Sequence, residues 1–276
     1  MLDPSAIEPA LRTVGDPLLA RVEEAGLNAA QPREQLLVDG WLLRFSPGKA
    51  RRSRSISAVL AGTLPLGEKL ALCRRWYDRF RLPLLVRVTP FSQPAALDDH
   101  LRRAGFEAFD ETRVMTRELD SLAAGNDALS VREADVATFA AAVGQLRGAP
   151  VSQIEANRRR LADCPLRGST ARLVAYAGED PIAAGQVVVQ DDLAGLYDIV
   201  TATAERGRGF GRAISGRLLA AGAAMGATVA YLQVDVGNAP ARRVYSSLGF
   251  ADRYAYWYRR PADVVDDVPV QEERSR

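Results

Sequence analysis

The stretch Arg206-Gly207-Arg208-Gly209-Phe210-Gly211-Arg212-Ala213-Ile214 decides how this chain is read. It follows Leu196-Tyr197-Asp198-Ile199-Val200-Thr201, an apolar run of strand character. After it Ile214, Leu218, Ala221 and Met225 recur at steps of four, three and four, the spacing of one helix face. A strand, a glycine turn and a helix in succession let backbone N–H groups and the positive end of the helix hold a phosphate. A Cβ on those glycines would keep the backbone away from the anion, and three arginines add charge where a polyanion would lie. Two better-known phosphate loops are excluded. A dinucleotide fingerprint needs Gly or Ala three residues after its second Gly, where Arg212 or Ile214 stands. The segment Gly62–Lys69 approaches a P-loop, but Glu68 sits where the lysine should be and Leu70 follows Lys69, so the metal-binding hydroxyl is missing. By itself the turn reads more readily as a plain basic loop joining strand to helix.

A second segment narrows the choice. After the strand-like Val229–Val234 comes Gly237-Asn238-Ala239-Pro240-Ala241-Arg242-Arg243-Val244-Tyr245-Ser246-Ser247-Leu248-Gly249-Phe250. Asn238 suits a helix N-cap, Pro240 the first turn and Gly249 the C-terminus. Ala241, Val244 and Leu248 form the apolar stripe. Asn238 and Tyr245 are seven residues apart, nearly two turns, so both can face one ligand. Taken singly, a plain cap and a core aromatic account for them as well.

Together these motifs, Arg206-x-x-Gly209-x-Gly211 and Asn238-x-x-Ala241-x-x-x-Tyr245 followed by Leu248-Gly249-Phe250, resemble the GNAT-type N-acetyltransferases. The resemblance spans roughly residues 129–260. It implies an α/β (α+β) fold with a mixed central sheet flanked by helices, and acetyl-CoA as co-substrate without a metal. It further implies that Arg206, Gly207, Arg208, Gly209, Phe210, Gly211 and Arg212 bind the pyrophosphate through backbone N–H groups. Backbone groups of Ile199, Val200 and Thr201 would hold the pantetheine arm and the acetyl carbonyl, on a strand splayed from its neighbour. Asn238 and Ala241 would touch the pantetheine, and Tyr245 would protonate the departing thiolate. Thr201 and Thr203 stand where the family more often has Val and Pro.

Elsewhere the chain alternates strand-like and helix-like segments. Strands are expected at Gly40–Phe45, Ser55–Leu60 and Leu84–Val88, with helices at Leu66–Phe80 and about Pro94–Ala104 and a hairpin-like stretch over Phe106–Leu119. The small, polar run Leu122–Asp127 reads as a boundary. The second half is expected to open with a strand at Leu129–Arg132, a helix after Asp135 and another at Ile154–Leu161, then strands at Ala171–Tyr176, Ile182–Val189 and Leu193–Thr201. Helix, strand, helix and Gly-Phe succeed one another over 41 residues from Leu66 and again over 40 from Gly211, which suggests a tandem duplication. Residues 1–127 would then be a degenerate copy lacking both motifs and a coenzyme site, residues 128–262 the catalytic domain, and residues 263–276 a mobile acidic tail.

Composition sets the outer bounds. Of 276 residues, 47% are hydrophobic and 25% charged, and 36 Lys and Arg against 34 Asp and Glu leave a net charge of +2, which excludes general disorder and argues against a nucleic-acid partner. Cys73 and Cys164 stand apart and His100 is the one histidine, which excludes a cysteine framework and histidine-rich metal sites. No run approaches a membrane span and the N-terminus lacks signal-peptide character, so a cytoplasmic protein with no membrane partner is expected.

Acyl transfer to an amine needs a neutral amine, a polarised carbonyl and a protonated leaving thiol. A phenol near ~10 can return a proton to a thiolate near ~8.5, which suits Tyr245. Asp198 is the candidate base, with Glu133, Glu205 or a water chain as alternatives, and a purely structural ion-pair role for Asp198 stays open. The loop Lys49, Arg51, Arg52 and Arg54 reads as a solvated hairpin tip or as a contact for an anionic ligand, and Arg158-Arg159-Arg160 as a charged helix face. Two functions follow: an acetyltransferase acting on a primary amine of an unidentified small molecule or peptide, or a coenzyme A sensor or scaffold without chemistry.

Overall fold

The computed structural model describes residues 2–12, 15–48, 50–119, 130–264 and 266. Its helices are α1 (Pro9–Arg12), α2 (Pro17–Ala29), α3 (Leu66–Arg79), α4 (Leu97–Arg103), α5 (Val136–Arg147), α6 (Val151–Asp163), α7 (Phe210–Ala224) and α8 (Ala239–Ser247). Its strands are β1 (Glu34–Val38), β2 (Trp41–Phe45), β3 (Ile56–Ala58), β4 (Val86–Val88), β5 (Phe106–Glu118), β6 (Val131–Glu133), β7 (Thr170–Ala177), β8 (Asp180–Gln190), β9 (Leu193–Thr201), β10 (Val229–Asp235) and β11 (Ala251–Pro261).

The chain forms two compact units, one of Met1–Asp16, Ala30–Thr112 and Tyr254–Arg276, the other of Pro17–Ala29 and Arg113–Arg253. The expected boundary near residue 127 lies outside the described residues. The observed partition is discontinuous: α2 belongs to the second unit, and most of β11 to the first.

In the first unit β1, β2 and β3 form an antiparallel run, β3 and β4 pair in parallel, and β11 joins antiparallel to β4 with Tyr258 opposite Arg87. Alternation along the strands separates two faces. Leu43, Ile56, Val86, Val88 and Trp257 turn toward α3 and α4 and pack with Cys73, Tyr77, Leu97 and Leu101 into one apolar core. The other face is cationic and aromatic, a feature taken up below.

The second unit repeats the theme. Strands β6 to β9 are antiparallel, β10 lies parallel to β9, and β5 borders β10. Helix α7 lays Ile214, Leu218 and Leu219 against Val187, Ala194 and Leu196; each such side chain taken from water contributes about 1.5–3 kcal/mol. Helix α5 starts where Asp135 Oδ1 accepts from the Thr138 amide at 2.7 Å and stops at Gly148 in the left-handed region.

Two expectations need correction. Phe106–Leu119 is one strand rather than a hairpin, because Asp110, at φ +57°, kinks it without reversing it. The segment Ser55–Leu60 is strand only over Ile56–Ala58.

Candidate functional site

Strand β9 and helix α7 meet at the glycine turn. Gly207 and Gly209 have φ of +78° and +86°, values that L side chains adopt only with strain. Gly209 is the N-cap of α7, with no side chain capping the helix. The backbone N–H groups of Gly207 through Arg212 find no acceptor among the described residues, and the space where Cβ atoms of Gly207 and Gly209 would stand is open. A row of unsatisfied donors at the positive end of a 15-residue helix is an anion cradle. Arg208 is held by Glu205 and covers the Phe210 ring, whereas Arg206 and Arg212 lie exposed with no ion pair among the described residues.

At the other end of the site β9 parts from β10. Their parallel pairing covers Val229↔Leu193, Ala230↔Ala194 and Tyr231↔Gly195 and ends there. Ile199, Val200 and Thr201 are all half-buried; Val200 and Thr201 stay paired to β8 on one side, and the other edge of the segment has no partner strand in that register. A slot between two parallel strands exposes backbone donors and acceptors to any extended ligand. Tyr197 and Tyr231 join hydroxyls across its root at 2.7 Å.

Asp198 sits in a bulge of β9. Gly185 of β8 faces two residues of β9, Asp198 and Ile199, and Asp198 takes φ +54°. Gly185 is needed here, since a Cβ would stand 2.4 Å from Ile199 Cδ1. The bulge points the Asp198 carboxylate at Arg147 Nη2 (3.0 Å), Gln186 Nε2 (2.9 Å) and Arg160 Nη2 (3.4 Å). Burial pushes its pKa up, but the two guanidiniums and the Gln186 hydrogen bond outweigh burial and hold the carboxyl below its ordinary value. So held, Asp198 is a poor acceptor for an ammonium proton, and its partners are those of an ion-pair anchor. Arg160 therefore points inward, not out along a charged face, while Arg158 and Arg159 pair with Glu155 on the surface. Glu205 is tied to Arg208, and Glu133 is exposed.

Helix α8 carries the second motif. Asn238 Oδ1 accepts from the Ala241 amide at 3.2 Å, which leaves the Asn238 amide group for a ligand. Ala241 is half-buried against the core under α7. Tyr245 is 9% exposed, its ring edge-on to Phe250, and its hydroxyl has no partner among the described residues. Burial alone pushes the phenol up to about 12. A groove of about 650 Å³, lined among others by Arg147, Pro181, Val200, Thr203 and Arg206, runs beside the turn.

The basic loop is not the expected solvated tip. Arg51–Ser53 is a short 3-10 turn and Arg54 is 3% exposed, while Lys49 lies outside the described residues. Sequence reasoning also missed Arg147 and Gln186 as partners of Asp198; the signal was their place at a helix end and opposite the bulge, which only the β8–β9 register reveals. Among the described residues no cluster of three His, Cys, Asp or Glu could hold a metal, and no helix is long and apolar enough to cross a membrane.

A capless glycine turn on a helix N-terminus, two parallel strands that part beside it, and a tyrosine on the following helix define an acetyltransferase of GNAT type. The chain belongs to the family described as "Probable histone acetyltransferase Rv0428c C-terminal", whose model matches residues 19–259. It is 26% identical over 230 residues to the uncharacterised N-acetyltransferase YobR of Bacillus subtilis, covering 82% of this chain and 91% of that protein. The fold is similar to that of a GCN5-related N-acetyltransferase from Kribbella flavida (TM-score 0.65, 15% identity, 89% of this chain and 96% of that one). It is also similar to a tandem GNAT protein from the clavulanic acid biosynthesis pathway (TM-score 0.53, 16% identity, 72% and 69% covered).

Proposed function

We propose that the protein moves an acetyl group from acetyl-CoA directly to a primary amine of a small molecule or peptide. The reading rests most on one observation: the unsatisfied N–H groups of Gly207–Arg212 stand at the end of the strand whose edge opens toward β10. Those amides, with Arg206 and Arg212, would hold the pyrophosphate. The free edge of Ile199–Thr201, the Asn238 amide and Ala241 would line the pantetheine arm. Acetyl-CoA, when bound, supplies the activated acyl carbon.

The amine nitrogen attacks that carbon, the C–S bond breaks, and the electron pair leaves on sulfur. Tyr245 would donate its proton to that sulfur. A phenol near 12 stays fully protonated until the thiolate forms. Its reprotonation by the proton shed from the new amide nitrogen would close the balance. A backbone N–H on the parted edge of β9 would polarise the acyl oxygen. Asp198 would order the wall through Arg147 and Arg160, and the amine would lose its first proton to water.

The test is release of free coenzyme A thiol from acetyl-CoA across a panel of amines, amino acids, polyamines and peptides, with binding followed separately by thermal shift. Acetyl-CoA should raise the Tm, and at least one amine should support thiol release. Binding with no turnover on any amine would favour the sensor or scaffold reading, and absence of binding would overturn both.

A further inference from the structure

Within the first unit, the sheet face opposite the apolar core is lined by cations. Register places Leu42 beside Ser57, Ser57 beside Arg87 and Arg87 beside Tyr258, with Arg44 and Ser55 two residues further on the same face. Arg44, Arg54 and Arg87 are all 3% exposed or less. Arg87 lies 3.8 Å from the Tyr256 ring centre, and Arg51 and Arg260 both cover Phe109. Tyr258 feels Arg87, Arg52 and Asp110. Against Asp110 and Asp266, which pair with Arg51 and Arg54, the patch carries six arginines: Arg44, Arg51, Arg52, Arg54, Arg87 and Arg260.

One carboxylate sits among them. Asp266, 6% exposed in its side chain, accepts at Oδ1 from Arg54 Nη1 at 2.6 Å and at Oδ2 from Arg51 Nε. Arg51 also donates through Nη1 to Asp110 at 2.8 Å. Even so the site is not saturated. Arg54 Nε and the hydroxyls of Ser55 and Ser57 are buried with no hydrogen-bond partner among the described residues. Buried donors of this kind carry a cost of about 1–3 kcal/mol each when left unmade, and a cationic cluster is stabilised by a second anion. A carboxylate joined to two guanidiniums, with unpaired buried donors on the same stretch Arg54–Ser57, has the geometry of a stand-in ligand.

We propose that Arg51, Arg54, Ser55 and Ser57 form an anion-binding site in the first unit, for a small molecule bearing a carboxylate or phosphate, and that Asp266 occupies it until the ligand displaces it. The site needs neither acetyl-CoA nor the transferase reading. Its affinity for a ligand is lowered by the fraction of molecules in which Asp266 is docked, so freeing the site should tighten binding.

The probes are inorganic phosphate and succinate, titrated into the full chain by thermal shift, with sodium chloride matching ionic strength. In Asp266→Ala, or Asp266→Asn should the alanine variant fail to fold, the apparent affinity for one or both should rise about tenfold or more over wild type. Adding Arg51→Gln, at a side chain about one-third exposed, should abolish the gain. A response to phosphate alone or to succinate alone assigns the ligand class. Equal weak shifts in wild type, Asp266→Ala and the Arg51→Gln double variant would mean an adventitious ion only and overturn the proposal.

Discussion

The hydroxyls of Tyr197 and Tyr231 meet at 2.7 Å where β9 and β10 stop pairing. Gly195 makes room for both: a Cβ there would stand 2.6 Å from Tyr197 Cε2 and from Tyr231 Cζ. Gly195→Ala should therefore lower unfolding free energy by about 1–3 kcal/mol, the scale of overpacking in a tight core. Denaturant titration checks this. A variant as stable as wild type would show that the tyrosine pair yields freely.

Tyr245→Phe separates chemistry from packing. The hydroxyl has no partner among the described residues, so its loss should leave stability within about 0.5 kcal/mol. Turnover should fall by ~10²-fold or more, in kcat and not in the KM for acetyl-CoA. Single-turnover rates with a working acceptor measure it, and an undiminished rate would pass the acid role to water.

Gly209→Ala tests the turn. Since a Cβ meets nothing within 4 Å, the apo protein should lose only the strain of a left-handed alanine, about 1–2 kcal/mol. The Tm rise with acetyl-CoA should disappear, because the added Cβ would stand in the open space where the anion approaches the turn's N–H groups. Retention of the full rise would remove the pyrophosphate from this turn.

Asp198→Asn probes the anchor through pH. The folded carboxyl titrates below its ordinary 3.8, so its ion pairs stabilise the protein above that value and the contribution is lost as pH falls through the folded pKa. The variant should be ~2 kcal/mol less stable than wild type at pH 7, and the gap should close as pH falls below 3.8 and through the lowered folded pKa. A constant gap across that range would mean that shape, not charge, sets the contribution of Asp198.

The site's scaffold was legible where local rules decide. Leu193–Thr201 reads as a strand from its apolar run, Gly209 as a turn residue from its permissive backbone, and Asn238 as a cap from its side-chain oxygen. What escaped depends on partners distant in sequence. The ion-pair role left open for Asp198 has its partners, Arg147 and Arg160, 51 and 38 residues away, brought together by a bulge that no single strand announces. Helix α2 went unread although Leu19, Val22, Ala25 and Ala29 mark a buried stripe, because its Gly26 and Asn28 weaken helix propensity. Strand β11 went unread because Ala255–Tyr258 is buried throughout and so lacks alternation. Arg54 read as solvated because charge usually is; its carboxylate partner comes 212 residues later.

The interleaving of the two units sets an order of events on the ribosome. Helix α2 emerges early, yet the strand it rests on, β9, is synthesised more than 160 residues later. Strand β4 waits about as long, for Trp257–Arg259, and until they emerge it presents an unpaired edge carrying Val86 and Val88. The first unit cannot close before Trp257–Arg259 are made, nor the second before β9, so the chain should expose strand edges longer, and depend more on chaperones that shield them, than a tandem protein with two contiguous domains would.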